Sequence, residues 1–181
     1  MSELRLLVGK KTNLFDNKIF KPVWIVDFPL FIWDSESDRY HSVHHPFTSP
    51  LTDDIESIKN DTINIKANAY DLVINGVEIG GGSIRIHDRK LQETIFEVLG
   101  FSKEEAKNQF GFLLDAFRFG TPPHGGIAFG FDRICSLFAG EDSIKDFIAF
   151  PKNTSGRDVM IDSPSIIDNY QLDELGIKLS D

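Results

Sequence analysis

The chain has 181 residues, 41% of them apolar with 16 Phe, which is ample for a real core in one domain or one domain with an appendage. Nineteen Lys and Arg stand against 28 Asp and Glu, and the resulting net charge of −9 excludes a sequence-independent grip on nucleic acid phosphates by the bulk surface. Met1 to Val8 hold no apolar stretch long enough for a signal peptide or a membrane span, and the single cysteine, Cys135, excludes a disulfide framework within the chain, so the cytoplasm is the expected compartment.

In chain order, Val23 to Val26, bounded by Pro22 and a Phe28-Pro29 turn, read as a buried strand, and Arg39 to His45 read as another after the charged turn Asp34 to Asp38. Leu51 to Asn68 are polar and irregular and suggest no regular element. Leu91, Ile95, Val98 and Leu99 form one helical face that Gly100 ends, and Ser102 with Glu105 makes a capping box for a second helix. Its Ala106, Phe110, Leu113, Leu114 and Phe117 recur at helical spacing as a packing stripe, and it stops at Gly120 before Pro122-Pro123. Gly126 to Phe129 read as a strand running into an amphipathic helix with Arg133 in its first turn and Cys135 as a small core residue. An arginine at such a junction can stack on a base and fork to phosphate oxygens, and the same pattern also suits a tight packing point with a surface ion pair.

The hairpin carries the chemistry. Asn75-Gly76 between two β-rich runs predicts a type I′ turn that pairs Ile74 with Val77, Val73 with Glu78, Leu72 with Ile79 and Asp71 with Gly80. Asp71 and Glu78 then lie diagonally on one face, with Cα atoms roughly 7–8 Å apart. Two such carboxylates are either solvated on an exposed sheet face or bridged by a cation, and magnesium carrying nucleotide phosphates has the hard-oxygen preference for the second arrangement.

Beyond Glu78 the strand has a parity problem. Glu78 and Arg85 are seven apart, so a regular strand would send them to opposite faces. A bulge within Gly80-Gly81-Gly82 would bring Glu78, Ser83 and Arg85 onto one floor and leave Val77, Ile79, Ile84 and Ile86 facing the core. Arg85 could then clamp a ligand carboxylate with two hydrogen bonds, or pair with Asp71 or Asp115. His44 and His45, as neighbours in a strand, would face opposite ways so that only one reaches the floor, and neither has a partner at zinc-ligand spacing.

Five segments taken in order, His44 to Pro50, Ala69 to His87, Gly111 to Ala116, Gly120 to Arg133 and Ala149 to Lys152, resemble the C-terminal half of the catalytic domain of bacterial-type aspartyl-tRNA synthetases, from about Leu4 onward. The resemblance implies an α+β fold, a largely antiparallel sheet flanked by helices, forming part of a class II synthetase catalytic core. It implies residues 1–20 as the end of an inserted domain with its linker, and residues 21–181 as the C-terminal part of the catalytic domain. Arg133 matches the arginine that stacks on adenine and reaches the terminal phosphate of ATP, with Gly130, Phe131 and Asp132 forming that part of the pocket. Glu78 and Asp71 match the carboxylates that bind ATP through Mg2+, which makes Glu78 and Arg133 the implied catalytic pair. Arg85 matches the arginine that holds the side-chain carboxylate of L-aspartate, His44 a histidine at the aspartate site, and Ser83 with Gly80 to Gly82 the floor beneath the amino acid.

Such enzymes are much longer chains. Their anticodon-binding barrel, their first motif, which builds a homodimer, and their second, which sends an arginine to the α-phosphate, have no counterpart in these 181 residues, so an excised segment of a parent enzyme is expected. The implied parent takes ATP, aspartate and tRNA. The competing expectation is a non-catalytic module that keeps the adenine and aspartate pockets.

Overall fold

In the computed structural model of the chain, the structure describes residues 2–14, 16 and 18–179, which form two compact units, Met1–Phe131 and Asp132–Asp181. The first unit holds a four-stranded antiparallel sheet ordered β1-β4-β5-β6, made of β1 (Pro22–Ile25), β4 (Ala69–Ile74), β5 (Val77–Ile84) and β6 (Gly125–Phe129). A separate hairpin joins β2 (Phe31–Asp34) to β3 (Arg39–Ser42). Around them lie α1 (Ser2–Lys11), α2 (Ile55–Asn60), α3 (Arg89–Val98) and α4 (Lys103–Phe117), which gives the α+β class with helices flanking an antiparallel sheet.

The helices follow their caps. Asp88 accepts from Leu91 N to open α3, Gly100 at φ +80° follows its end, and Ser102 and Glu105 make both halves of the capping box of α4. Leu91 and Ile95 of α3, with Leu99 that caps it, join Leu30, Phe31, Ile58, Ile65, Ala67, Ala69 and Ile86 in the main core. Phe47, Phe96 and Ala106 form a second cluster, against which Phe110, Leu113, Leu114 and Phe117 of α4 pack.

Three expectations need correction. The strand at Pro22–Ile25 is exposed along its whole length, because it is an edge strand paired only with β4, the position where an initial proline loses no ladder hydrogen bond. The segment 51–68 is not irregular: Asp54 caps α2 by accepting from Glu56 N, a 3-10 turn follows at Thr62–Asn64, and Ile58, Ile65 and Ala67 are core. A six-residue helix is too short to show a clear apolar period. The strand expected through His45 stops at Ser42, and Pro46, with no N–H to donate, cannot extend a ladder beyond it.

From Asp132 on in the second unit, α5 (Phe131–Ala139) carries Asp132 and Arg133 in its first turn and a partly buried Cys135, so Cys135 is less enclosed than a core position. Asn153 Oδ1 accepts from Ser155 N and Arg157 N, Arg157 pairs with Asp162, and α6 (Asn169–Leu175) buries Leu172.

Candidate functional site

The turn between β4 and β5 has the predicted chemistry: Asn75 at φ 52° and Gly76 at φ 85° take the paired left-handed conformations of a type I′ turn. Asn75 also fastens the chain entering β1, since its Oδ1 accepts from Lys21 N at 2.9 Å and its Nδ2 donates to Ile19 O at 3.0 Å. From this turn the first two rungs are as expected, Ile74 with Val77 and Val73 with Glu78. The next is not. Leu72 faces Gly80 and Asp71 faces Gly81, so the extra residue is Ile79 and the bulge precedes the glycines instead of falling among them.

Its position has a physical reason. Gly80 to Ile84 are paired on both sides, with β4 up to Ser83 and with β6 throughout, Gly80 opposite Phe129 and Ile84 opposite Gly125. A register break there would disrupt two ladders. Ile79 lies just past the last rung with β6, and Gly130 N donates to its carbonyl at 2.9 Å. The displaced residue therefore fixes the start of the Gly130-to-Arg133 segment.

The shift solves the parity problem. Val73, Asp71 and Ala69 share a face of β4, so their partners Glu78, Gly81 and Ser83 share that face of β5, and alternation carries Arg85 to it. Asp71 and Glu78 are diagonal neighbours. Burial first, and the Glu78 charge second, push the Asp71 carboxyl above the usual carboxylate range, with His44 opposing them. Among the described residues no group of three or more His, Cys, Asp and Glu is placed to hold a metal ion. A pair of carboxylates without a third ligand suits magnesium arriving with phosphates and water, not a closed protein cage.

Ser83 lies beneath the surface at 5% exposure, its hydroxyl 3.4 Å from that of the buried Thr48. Arg85 forms an antiparallel bridge with Thr48, and its backbone N donates to His124 O at 2.9 Å. The alternative partner Asp115 instead lies 3.8 Å from Arg118. Because β3 ends at Ser42, the histidines are freed from strand alternation and both come near floor charges. His44 meets the Phe28 ring edge-on at 4.8 Å and acts on Asp71, while His45 is pushed below the usual imidazole range by burial and by Arg85. The sequence reading sends only one of the two histidines to the floor; Pro46, which lacks the N–H a ladder needs, was the available signal that the strand stops short.

The opposite face of the sheet is apolar and carries Trp24, Tyr70, Leu72, Val77, Ile84, Ile127 and Phe129. Val77 and Ile84 belong there at 41% and 37% exposure, so they are not the core residues expected; Ile79 and Ile86 are buried. Each floor glycine meets its own neighbour. A Cβ on Gly80 would come within 2.6 Å of the Phe129 ring, one on Gly81 would strike the Asp71 carboxylate, and one on Gly82 would collide with the Gly126 backbone, whose carbonyl accepts from Tyr70 Oη at 3.0 Å. Packing therefore explains the triglycine without a ligand. Gly130 and Phe131 close the first unit, and Asp132 and Arg133 open the second.

Known proteins are similar to this chain. Residues 3–154 match the family of class II tRNA synthetases (D, K and N). The aspartate–tRNA ligase of Amoebophilus asiaticus is 62% identical over 180 residues, covering 99% of this chain and 31% of that protein, and the aspartate–tRNA ligase of Flavobacterium psychrophilum is 59% identical over 179 residues with the same two coverages. The chain thus spans about 31% of the length of these curated relatives. The solved aspartyl tRNA synthetase from Entamoeba histolytica superposes with a TM-score of 0.58 at 23% identity, over 86% of this chain and 27% of that one, a likeness of fold. With the family match running from the first helix through the whole sheet and into the second unit, the chain belongs to the class II tRNA synthetases of the D, K and N group.

Proposed function

We propose that these residues form the nucleotide- and amino-acid-binding half of an aspartate–tRNA ligase active site. The observation that carries this reading is the single register shift at Ile79, which gathers two carboxylates and an arginine on one face of the sheet. The family match and the identity to two aspartate–tRNA ligases support it.

In this reading Arg85 forks to the side-chain carboxylate of L-aspartate, His44 lines the same subsite, and Ser83 with the glycines forms its floor. Gly130, Phe131, Asp132 and Arg133 receive the adenine and terminal phosphate of ATP. Asp71 and Glu78 would hold Mg2+, which when bound would neutralise phosphate charge. An α-carboxylate oxygen of aspartate attacks the α-phosphorus of ATP, the bond to the bridging oxygen breaks, and pyrophosphate leaves. A hydroxyl oxygen of the terminal ribose of tRNA then attacks the carbonyl carbon of the adenylate, the bond from that carbon to the phosphate oxygen breaks, and AMP leaves with the hydroxyl proton released to solvent. Acceleration rests on alignment and on charge neutralisation, with no protein nucleophile. Residues 1–20 close an inserted region, tRNA is held mainly by parts of the parent outside these residues, and the parent is a cytoplasmic homodimer.

The test is Arg85→Leu in the full-length parent. Aspartate-dependent pyrophosphate exchange should fall by about 100-fold or more, since an aspartate carboxylate would be enclosed without its partner, while ATP binding changes far less. Near-normal exchange would reject the clamp. In calorimetry the 181-residue chain alone should bind ATP or aspartate weakly, and tight binding of aspartyl-adenylate would contradict that division of labour.

A further inference from the structure

We infer that Gln92, outside the residues given a role above, is a positioning residue for the His44–Pro50 segment and through it for the amino-acid subsite; the second half of this inference rests on the proposed function. Gln92 lies in α3 at 0% exposure, in a helix whose other inward residues are mostly apolar. Its Nε2 donates to the Pro46 carbonyl at 2.9 Å, and because a carbonyl can only accept, the orientation of the amide is set by chemistry. The other half of the amide is unpaired: Oε1 is buried without a hydrogen-bond partner among the described residues. Burying half an amide unpaired is unfavourable, and methionine would fill the same volume without that penalty. The donation to Pro46 is the visible return.

The Pro46 carbonyl is well placed to transmit this. One turn after Gln92 on the same side of α3, Phe96 packs edge-on against Phe47 at 5.7 Å, so α3 holds consecutive loop residues through one polar and one aromatic contact. From Phe47 the backbone N donates back to His45 Nδ1 at 3.2 Å, and its carbonyl accepts from Ile86 N at 2.9 Å. The first of these bonds makes Nδ1 the acceptor and leaves the imidazole proton on Nε2. Gln92 thereby sets the tautomer and direction of a histidine beside Arg85 without touching either.

The test uses Gln92→Met, which removes the donor and keeps the length, with Ile58→Val as a substitution in the main core cluster, to which neither Phe47 nor Phe96 belongs. Imidazole 15N spectra of the 181-residue chain should show His45 as one tautomer, Nε2 protonated, in the unmodified chain and in Ile58→Val, and as an averaged pair in Gln92→Met. A single unchanged tautomer in Gln92→Met would overturn the inference. Should that variant not fold, the unmodified chain decides: a scalar coupling between Gln92 Nε2 and the Pro46 carbonyl carbon is expected, and its absence overturns the inference. In the full-length parent, Gln92→Met should raise KM for aspartate about fivefold to tenfold, the scale of one lost hydrogen bond, with KM for ATP unchanged. Equal changes in both constants would reduce Gln92 to a structural residue. Failure of the unmodified parent to show aspartate-dependent exchange would overturn the functional reading and the aspartate half of this inference, and the tautomer spectra would still decide the loop.

Discussion

The two faces of the β4–β5 hairpin share one backbone and differ by one residue of register. On one side stand Asp71, Glu78, Ser83 and Arg85; on the other stand Tyr70, Leu72, Val77 and Ile84. Polar and apolar residues do not alternate simply along β5, and a uniform strand would mix them. The extra residue at Ile79 sorts them. The glycines that look alike in sequence serve different sides: Gly80 lies against the Phe129 ring, Gly81 beneath the Asp71 carboxylate, and Gly82 against the neighbouring backbone. A Gly-rich run is therefore three separate constraints, and substitutions should tell them apart.

The largest effect is expected at Gly82. Gly82→Ala would press a methyl group into the Gly126 backbone, which cannot move without breaking the β5–β6 ladder, so unfolding free energy should drop by about 3 kcal/mol. Gly126→Ala one strand away meets nothing within 4 Å and should cost less than about 1 kcal/mol. Denaturant titration of the two variants measures the difference, and equal costs would contradict the close approach. Next in size, Tyr70→Phe removes the hydroxyl that reaches Gly126 O and should cost about 1 kcal/mol with no change in nucleotide binding.

Gly81→Ala sharpens the contrast between the faces. Its methyl group would meet only the end of a side chain, the Asp71 carboxylate, so stability should fall by about 0.5 kcal/mol or less while magnesium–ATP binding by the parent weakens several-fold. A variant that unfolds like Gly82→Ala would mean that both glycines serve the same packing role.

The smallest expected effect has the opposite sign. The raised Asp71 carboxyl keeps its proton in the folded chain at pH values where the unfolded chain has lost it, so stability declines as pH rises from the ordinary carboxylate range through the folded value, and the full penalty is present at neutral pH. Asp71→Asn should therefore stabilise the ligand-free chain by about 0.5 kcal/mol at pH 7 and leave it unaffected at low pH, at the expense of magnesium–ATP binding. A stability loss at neutral pH would show that Asp71 is not held against its Glu78 neighbour.

Where local chemistry acts alone, the sequence foretold the structure. The Asn75-Gly76 turn, the first two rungs of the hairpin, the Ser102–Glu105 capping box and the Phe110 to Phe117 packing stripe each depend on a few adjacent residues. What was misread depended on distant partners. The exposure of β1 follows from its place at the sheet edge, the core role of Ile58 from a six-residue helix meeting α3, and the position of the bulge from β6 some 45 residues away along the chain. The shared face of Asp71, Glu78 and Arg85 was legible because a glycine run between Glu78 and Arg85 can admit the one-residue shift that reverses their parity. Its location was not, since nothing local distinguishes Ile79 from the glycines that follow.

Cross-strand NOEs between backbone protons of β4 and β5 in the 15N,13C-labelled chain test the register shift most directly. Contacts linking Val73 with Glu78 and Leu72 with Gly80, with Ile79 opposite no partner of its own, are the predicted result. Contacts linking Leu72 with Ile79 and Asp71 with Gly80 would contradict it, because that uninterrupted ladder sends Glu78 and Arg85 to opposite sides of the sheet.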